Sequence, residues 1–253
     1  MPRRLGQHFL ARKSILDRIA AAACPDRASL VVEIGPGKGA LTESLLDRAE
    51  KVIAIEIDPY LVHYLRQKFR EAIDLQRLTL LEGDILKTDV AAFGPAVIAG
   101  NLPYYITSPI LEKIFSLGGN WLRAVFLVQA EVAARLSSPP GSRDYGFLSV
   151  QTQLHARVET LFPVARTAFR PPPKVDSAVV SMEPRDAAAE LGIADGAAFL
   201  RFASAAFRHK RKTLRNNLAP VYGKDRVDAI AGMGKRAEQL SLSELAVLFR
   251  EFG

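Results

Sequence analysis

The feature that most constrains this chain is a glycine-rich turn set directly between an apolar strand and a helix. Residues 30–34 form an apolar run of strand length leading into Glu33-Ile34-Gly35-Pro36-Gly37-Lys38-Gly39, and residues 41–47 have helical character. Glycine tolerates the tight turn and the close approach of a ligand to the strand end, so this pattern opens a β-α-β unit. The following hundred or so residues repeat it. Apolar runs recur at 52–57, 78–81, 96–99 and 124–128, with helix-like stretches at 59–69, 108–115 and 131–136. Continuous rather than alternating apolar strands predict burial on both faces, hence a mostly parallel sheet layered between helices.

After Gln151 the character changes. Two further strand candidates, 158–162 and 177–182, flank the proline-rich stretch 169–174 and predict a closing antiparallel pair. The Asp/Ala/Gly-rich stretch 186–196 lacks a buried strand pattern, and helical periodicity follows it. The chain of 253 residues therefore reads as an α/β domain over 1–185, a linker over 186–196 and a small helical domain over 197–253.

The net charge of +7 is unevenly placed. Residues 197–253 hold 11 Lys and Arg against 5 Asp and Glu, and Arg3, Arg4, Arg12, Lys13 and Arg18 crowd the N-terminus. Two basic ends around a near-neutral middle point to a polyanionic partner. A single cysteine, Cys24, excludes a disulfide framework and a cysteine-cluster zinc site; the four His show no metal-ligand spacing, so no metal is expected. Asp17 and Arg18 interrupt the one stretch that resembles an export signal, and no run approaches the ~20 apolar residues of a membrane span. The sequence reads as that of a cytoplasmic protein with no membrane partner.

The glycine spacing is G-x-G-x-G, one residue shorter than the dinucleotide pattern, and Pro36 removes an N–H that a pyrophosphate would use. A nucleoside without phosphates fits this loop better. Glu56, at the end of the second strand, is placed to accept ribose hydroxyls, and Asp84, after the third, falls near the adenine edge of such a ligand. Taken singly, either acid is more often a helix cap. Ordered after successive strands, with Gly35 and Gly37, they describe one binding site.

At the end of the fourth strand stands Asn101-Leu102-Pro103-Tyr104. In isolation this is a strand-to-loop turn; at the ligand-facing edge of this sheet it suits chemistry on an adenine amine. That nitrogen is a poor nucleophile because its lone pair is delocalised into the ring. The Asn101 side-chain oxygen and a backbone carbonyl from Leu102 or Pro103 would accept both N–H bonds and favour a tetrahedral nitrogen. Tyr104 would stack on the extruded base. A sulfonium methyl donor then needs positioning more than a strong general base. Methylation at a pyrimidine C5 would need a cysteine nucleophile, and Cys24 lies ahead of the first strand.

These residues resemble the KsgA-type ribosomal RNA adenine N6,N6-dimethyltransferase family. The resemblance rests on Gly6-Gln7-His8-Phe9-Leu10, Glu33-Ile34-Gly35-Pro36-Gly37, Ile55-Glu56-Ile57-Asp58, Gly83-Asp84, Asn101-Leu102-Pro103-Tyr104, Pro171-Pro172-Pro173-Lys174-Val175-Asp176-Ser177 and Lys210-Arg211-Lys212-Thr213-Leu214-Arg215-Asn216. It implies a Rossmann-like sheet that binds S-adenosylmethionine, with His8 and Leu10 at the methionine end and Gly35, Gly37, Glu56, Asp84 and Asn101 lining the rest. It also implies Phe169 as a second aromatic face against the target base. The implied reaction is dimethylation of two adjacent adenosines in the 3′-terminal hairpin of small-subunit ribosomal RNA, within an assembling subunit; the chain is expected to act as a monomer. Three positions depart from the family's habit: His8 and Tyr105, where Asn is common, and Ala130, where Lys is common.

Residues 201–215 carry six Lys or Arg, one His and no acid, with Phe199, Phe202 and Phe207 spaced as an apolar helix face. Uncompensated charge at helical spacing is unfavourable unless a phosphate backbone offsets it. Arg208, Lys210, Arg211, Lys212 and Arg215 are the candidate RNA contacts. Two rival readings stand beside this one: a resistance methyltransferase of related fold acting on large-subunit RNA, and an assembly factor that keeps the fold without the activity.

Overall fold

The computed structural model describes residues 8–252. Arg3, Arg4, Gly6 and Gln7, singled out above, lie outside the described residues. Contacts divide the chain into two compact units, one of residues up to 133 together with 159–184, the other of 134–158 together with 185 onward.

The first unit begins with β1 (Phe9–Leu10), α1 (Lys13–Ala23), β2 (Ala28–Ile34), α2 (Ala40–Leu46), β3 (Ala49–Glu56), α3 (Pro59–Lys68), a short α4 (Arg70–Asp74) and β4 (Leu78–Glu82). It continues through β5 (Ala96–Asn101), α5 (Thr107–Phe115) and β6 (Trp121–Gln129). After α6 (Ala130–Ser137) and α7 (Phe147–His155), the chain returns by β7 (Ala156–Val164), β8 (Phe169–Arg170) and β9 (Ser177–Pro184). Seven strands form one sheet in the order β4-β3-β2-β5-β6-β9-β7. The five from β4 to β6 are parallel and β9 runs antiparallel to β6, the mostly parallel sheet with an antiparallel closure that the sequence implies.

Val31, Val32 and Ile34 of β2 and Val52 and Ile55 of β3 are all buried, as the branched side chains of strands covered on both faces should be. Asp58 caps α3 by accepting from the Tyr60 N–H at 2.9 Å, with Pro59 in the first turn. The order of connection reverses at β2, which has β3 on one side and β5 on the other. Loops leaving the carboxyl ends of β2 and β5 therefore diverge and open a crevice between them. The glycine loop leaves β2 and Asn101 ends β5, so the two motifs face each other across that crevice.

The second unit adds α8 (Ala187–Glu190), α9 (Gly196–Ala206), α10 (Leu214–Tyr222), α11 (Lys224–Asp228) and α12 (Leu242–Arg250). Its core joins Phe199, Phe202, Leu214, Leu218 and Leu245 with Tyr145, Val150 and Leu154. Asp195, Thr213 and Ser241 cap α9, α10 and α12 through their side chains. The boundary read from sequence needs correction in two places. Residues 134–158, assigned there to the α/β domain, pack with the C-terminal helices, and the expected linker 186–196 holds α8, capped by Asp186, with Ala187 buried. Periodicity reveals an apolar helix face but not which core receives it.

Candidate active site

The crevice is a cavity of about 530 Å³ within the first unit, lined among others by His8, Leu10, Gly35, Gly37, Glu56, Asp84, Asn101 and Tyr104. That is the size range of small-molecule and cofactor pockets. Every candidate cofactor residue from the sequence is in this wall.

Gly35, Gly37 and Gly39 all have positive φ, 66°, 60° and 74°, a backbone region costly to side chains. At Gly39 a Cβ would also lie 2.4 Å from the Phe69 ring, and at Gly37 one would lie 3.0 Å from Phe9. The loop is tied at both ends of its turn: the Gly35 N–H donates to the Ile55 carbonyl at 3.0 Å and the Gly37 N–H to Glu56 Oε2 at 3.1 Å. Glu56 Oε1 accepts from the Ile57 and Asp58 N–H groups, each at 3.0 Å. Burial pushes its carboxyl up while these three N–H donors oppose the shift. Glu56 thus sets the loop's shape as well as lining the pocket. Asp84 Oδ1 accepts from the Leu86 N–H at 2.9 Å, so it caps its own turn and keeps Oδ2 for a ligand.

The candidate catalytic motif is held by contacts remote in sequence. Asn101 Nδ2 donates to the His8 carbonyl at 3.1 Å, and among the described residues Oδ1 receives no donor, so it can accept from a ligand. The Pro103 carbonyl is occupied, accepting from the Ile106 N–H at 3.1 Å and the Thr107 hydroxyl at 3.2 Å. Of the two carbonyls offered by the sequence, Leu102 is the one without a donor among the described residues. Tyr104 shares a hydrogen bond of 2.8 Å with Ser177, and burial pushes its phenol above the ordinary range while that bond opposes the shift. The His8 ring stacks beside Tyr104 at 6.2 Å between centroids, and its Nδ1 donates to the Pro171 carbonyl at 2.8 Å. The pairing of β1 with β8, Phe9 opposite Arg170 and Leu10 opposite Phe169, holds this segment over the crevice.

Glu33 also lines the cavity, and its protonation is not announced by the sequence. It is fully buried, accepts from the Thr42 hydroxyl at 2.6 Å, and burial pushes its carboxyl up to about 7. A carboxyl whose folded pKa is raised favours the folded state while protonated and loses that advantage as pH climbs from the ordinary carboxyl range through about 7. Above that pH its ionised form costs up to about 3 kcal/mol. Glu33→Gln should therefore gain stability over the wild type as pH rises from 5 to 8.5 without ligand, checked by urea unfolding across that range. A difference independent of pH would refute the assignment.

The model of the ribosomal RNA adenine dimethylase family matches residues 2–252. The chain belongs to that family. It is 44% identical to the ribosomal RNA small subunit methyltransferase A of Acidobacterium capsulatum, over 98% of this chain and 89% of that one. It is 42% identical to the protein of the same name from Anaeromyxobacter dehalogenans, over 98% and 92%. Among solved structures it resembles a dimethyladenosine transferase from Plasmodium falciparum (TM-score 0.82, 27% identity, 97% and 98% of the two chains). It also resembles the 23S rRNA methyltransferase ErmE (TM-score 0.70, 28% identity, 96% and 99%).

Two sets of candidate residues in this family member sit differently from the sequence reading. Phe169, expected to face the target base, is 2% exposed and belongs to the core formed with Leu10, Leu16 and Val179, outside the cavity wall. Its place in β8, opposite Leu10, turns an aromatic in a promising motif into a packing residue. The helical spacing expected of the basic stretch is broken over its middle: Arg208–Lys212 occupies the turn-rich connection between α9 and α10, with all five residues exposed. Arg215 forms a two-pronged pair with Asp228, at 2.5 and 2.7 Å, and Lys210 donates to the Arg143 carbonyl. Arg208, Arg211 and Lys212 have no anionic partner among the described residues. Phe199 and Phe202 are fully buried, as the apolar spacing implies. Ser177, the partner that fixes Tyr104, stood in the proline-rich motif, but nothing local in that motif pointed to Tyr104.

Among the described residues no group of three or more His, Cys, Asp or Glu could hold a metal ion, and no helix is long and apolar enough to cross a membrane.

Proposed function

We propose that this protein transfers methyl groups from S-adenosylmethionine to the N6 amines of two adjacent adenosines in the 3′-terminal hairpin of small-subunit ribosomal RNA. It does so as a monomer, on an assembling subunit in the cytoplasm, and with no metal. The reading rests on the paired acceptors at the end of β5: the Asn101 Oδ1 left free by its amide's bond to His8, and the open Leu102 carbonyl. Two acceptors on consecutive residues suit an exocyclic amine, with its two N–H groups. A carbonyl oxygen in the same place would meet only repulsion.

The cavity's chemistry fits the methyl donor. Glu56 and Asp84 offer acceptors to a ribose and an adenine edge, and the glycine loop gives backbone room without phosphate-binding character, since Pro36 lacks an N–H. His8 and Leu10, pinned by β8, close the other end. When bound, S-adenosylmethionine supplies an activated methyl and its leaving group. The chain's own residues hold the amine in line: Asn101 and Leu102 accept its N–H hydrogen bonds and favour a pyramidal nitrogen, the proton displaced by each methyl leaves to water, and Tyr104, fixed by Ser177, presents a face to the base.

Incubation with labelled S-adenosylmethionine and undermodified small subunits, with large subunits and naked RNA in parallel, tests the proposal. Dimethyladenosine in small subunits alone is expected. Label in large subunits would move the substrate to their RNA, and tight subunit binding with no label would indicate a noncatalytic assembly factor.

The unpartnered cations carry a second expectation. Replacing Arg208, Arg211 and Lys212 together by Ala should weaken RNA binding with little change in cofactor affinity. It should also flatten the slope of log affinity against log salt by roughly one for each lost phosphate contact. An unchanged slope in a salt titration would place the RNA elsewhere on the molecule.

A further inference from the structure

Tyr105 is an aromatic at the mouth of the active-site cavity that no described residue engages. It lines the cavity, is 63% exposed, and its side chain makes no hydrogen bond or ring contact with any described residue. A large exposed ring beside a site calls for an external partner more than a scattered surface apolar residue does.

Its backbone is not free to wander. Tyr104–Ile106 is a single 3-10 turn, locked by the bonds of the Ile106 N–H and the Thr107 hydroxyl to the Pro103 carbonyl and anchored on one side by the Tyr104–Ser177 bond. Successive side chains on a 3-10 turn project about 120° apart. With Tyr104 committed toward Ser177 and half-buried, Tyr105 diverges toward solvent at the rim.

We propose that Tyr105 is a positioning residue that stacks on the nucleobase adjacent to the target adenine. The inference deepens the proposed function and rests on it. Everting one base into the cavity strips its neighbour of a stacking partner, a cost that must be met for the target to stay out of the helix. Two diverging tyrosines on one rigid turn supply two faces, one for the base inside and one for the base left at the mouth. Every base has a π-face, so such a platform serves either of two neighbouring adenosines in turn.

The test compares wild type with Tyr105→Phe, Tyr105→Ala and Tyr105→Asn, since an exposed side chain can be changed with the fold intact. KM for undermodified small subunits should rise about tenfold or more in the Ala and Asn variants, the loss expected for one stacked base. kcat and S-adenosylmethionine affinity should hold, and Phe should behave as wild type. As a spectroscopic readout, 2-aminopurine replacing the neighbouring adenosine in reconstituted subunits should be quenched on binding wild type or Tyr105→Phe but not Tyr105→Ala. Normal KM and quenching in Tyr105→Ala, or a fall in kcat with KM unchanged, would overturn the inference while leaving the function intact. A wild type that methylates no small subunits would overturn the function itself, and this inference with it.

Discussion

Asn101→Ala should lower the methylation rate of small subunits by about a hundredfold to a thousandfold in single-turnover experiments, the loss typical of removing one preorganised polar group at a reacting atom. The side chain performs two tasks. On the proposed reading its Oδ1, which has no donor among the described residues, accepts from the amine, and its Nδ2 holds the His8 carbonyl at 3.1 Å, which keeps the β1 segment over the crevice. Alanine removes both, so a weaker affinity for S-adenosylmethionine should accompany the rate loss, read by calorimetry. Asn101→Asp separates them: it keeps an acceptor but loses the donor and sets a carboxylate against the His8 carbonyl. It should weaken cofactor binding at least as much as alanine does. Subunit binding should survive in both variants, because the unpartnered cations lie in the other unit. A rate within tenfold of wild type in Asn101→Ala would remove this residue from the reaction.

Gly100→Ala should be among the most destabilising single changes in the first unit. A Cβ at Gly100 would fall 2.6 Å from the Ile34 backbone carbonyl and 3.4 Å from its Cβ. That carbonyl belongs to β2, whose residues pair in register with β3 on one side and β5 on the other. Neither strand can yield without disturbing the sheet at the point where the crevice opens. Overpacking of this kind costs about 3 kcal/mol at the upper end of its usual range, which for a unit of this size lowers the melting temperature by roughly 6 to 12 °C. Gly119→Ala is the control, since a Cβ there meets nothing within 4 Å. Thermal unfolding in which both variants match wild type would show that the strand ends are looser than the registered pairing implies. Because Gly100 precedes Asn101, residual folded Gly100→Ala protein should also turn over slowly.

The strands, the glycine loop and the acids that follow successive strand ends were legible because their information is local. A buried parallel strand needs a continuous apolar run, a turn at positive φ needs glycine, and the doubly wound connection places whatever follows each strand at one edge of the sheet. Gly35, Glu56, Asp84 and Asn101 are brought to one cavity by those rules alone, and the ordered motifs were enough to suggest the family. Pairings chosen by packing over long separations were not legible. His8 meets Pro171 and Asn101, Tyr104 meets Ser177, and β1 meets β8, contacts that no period or propensity encodes.

The same reason explains the corrections. Phe169 and α7 each present an apolar face, and an apolar face states only that it will be covered. Tertiary structure decided that Phe169 is covered by Leu10 and its neighbours rather than offered to a base, and that α7 joins the C-terminal helices. Arg215 has the same charge as Arg211, yet only Arg215 lies where Asp228 can take it in a two-pronged pair. By itself the sequence determined the sheet, the loop and the acceptor at the end of β5, since covalent neighbours and backbone sterics specify them. Only the folded chain decided which carbonyl and which cations keep no partner among the described residues and which aromatic faces out, because each depends on partners that folding alone brings within a hydrogen bond's reach.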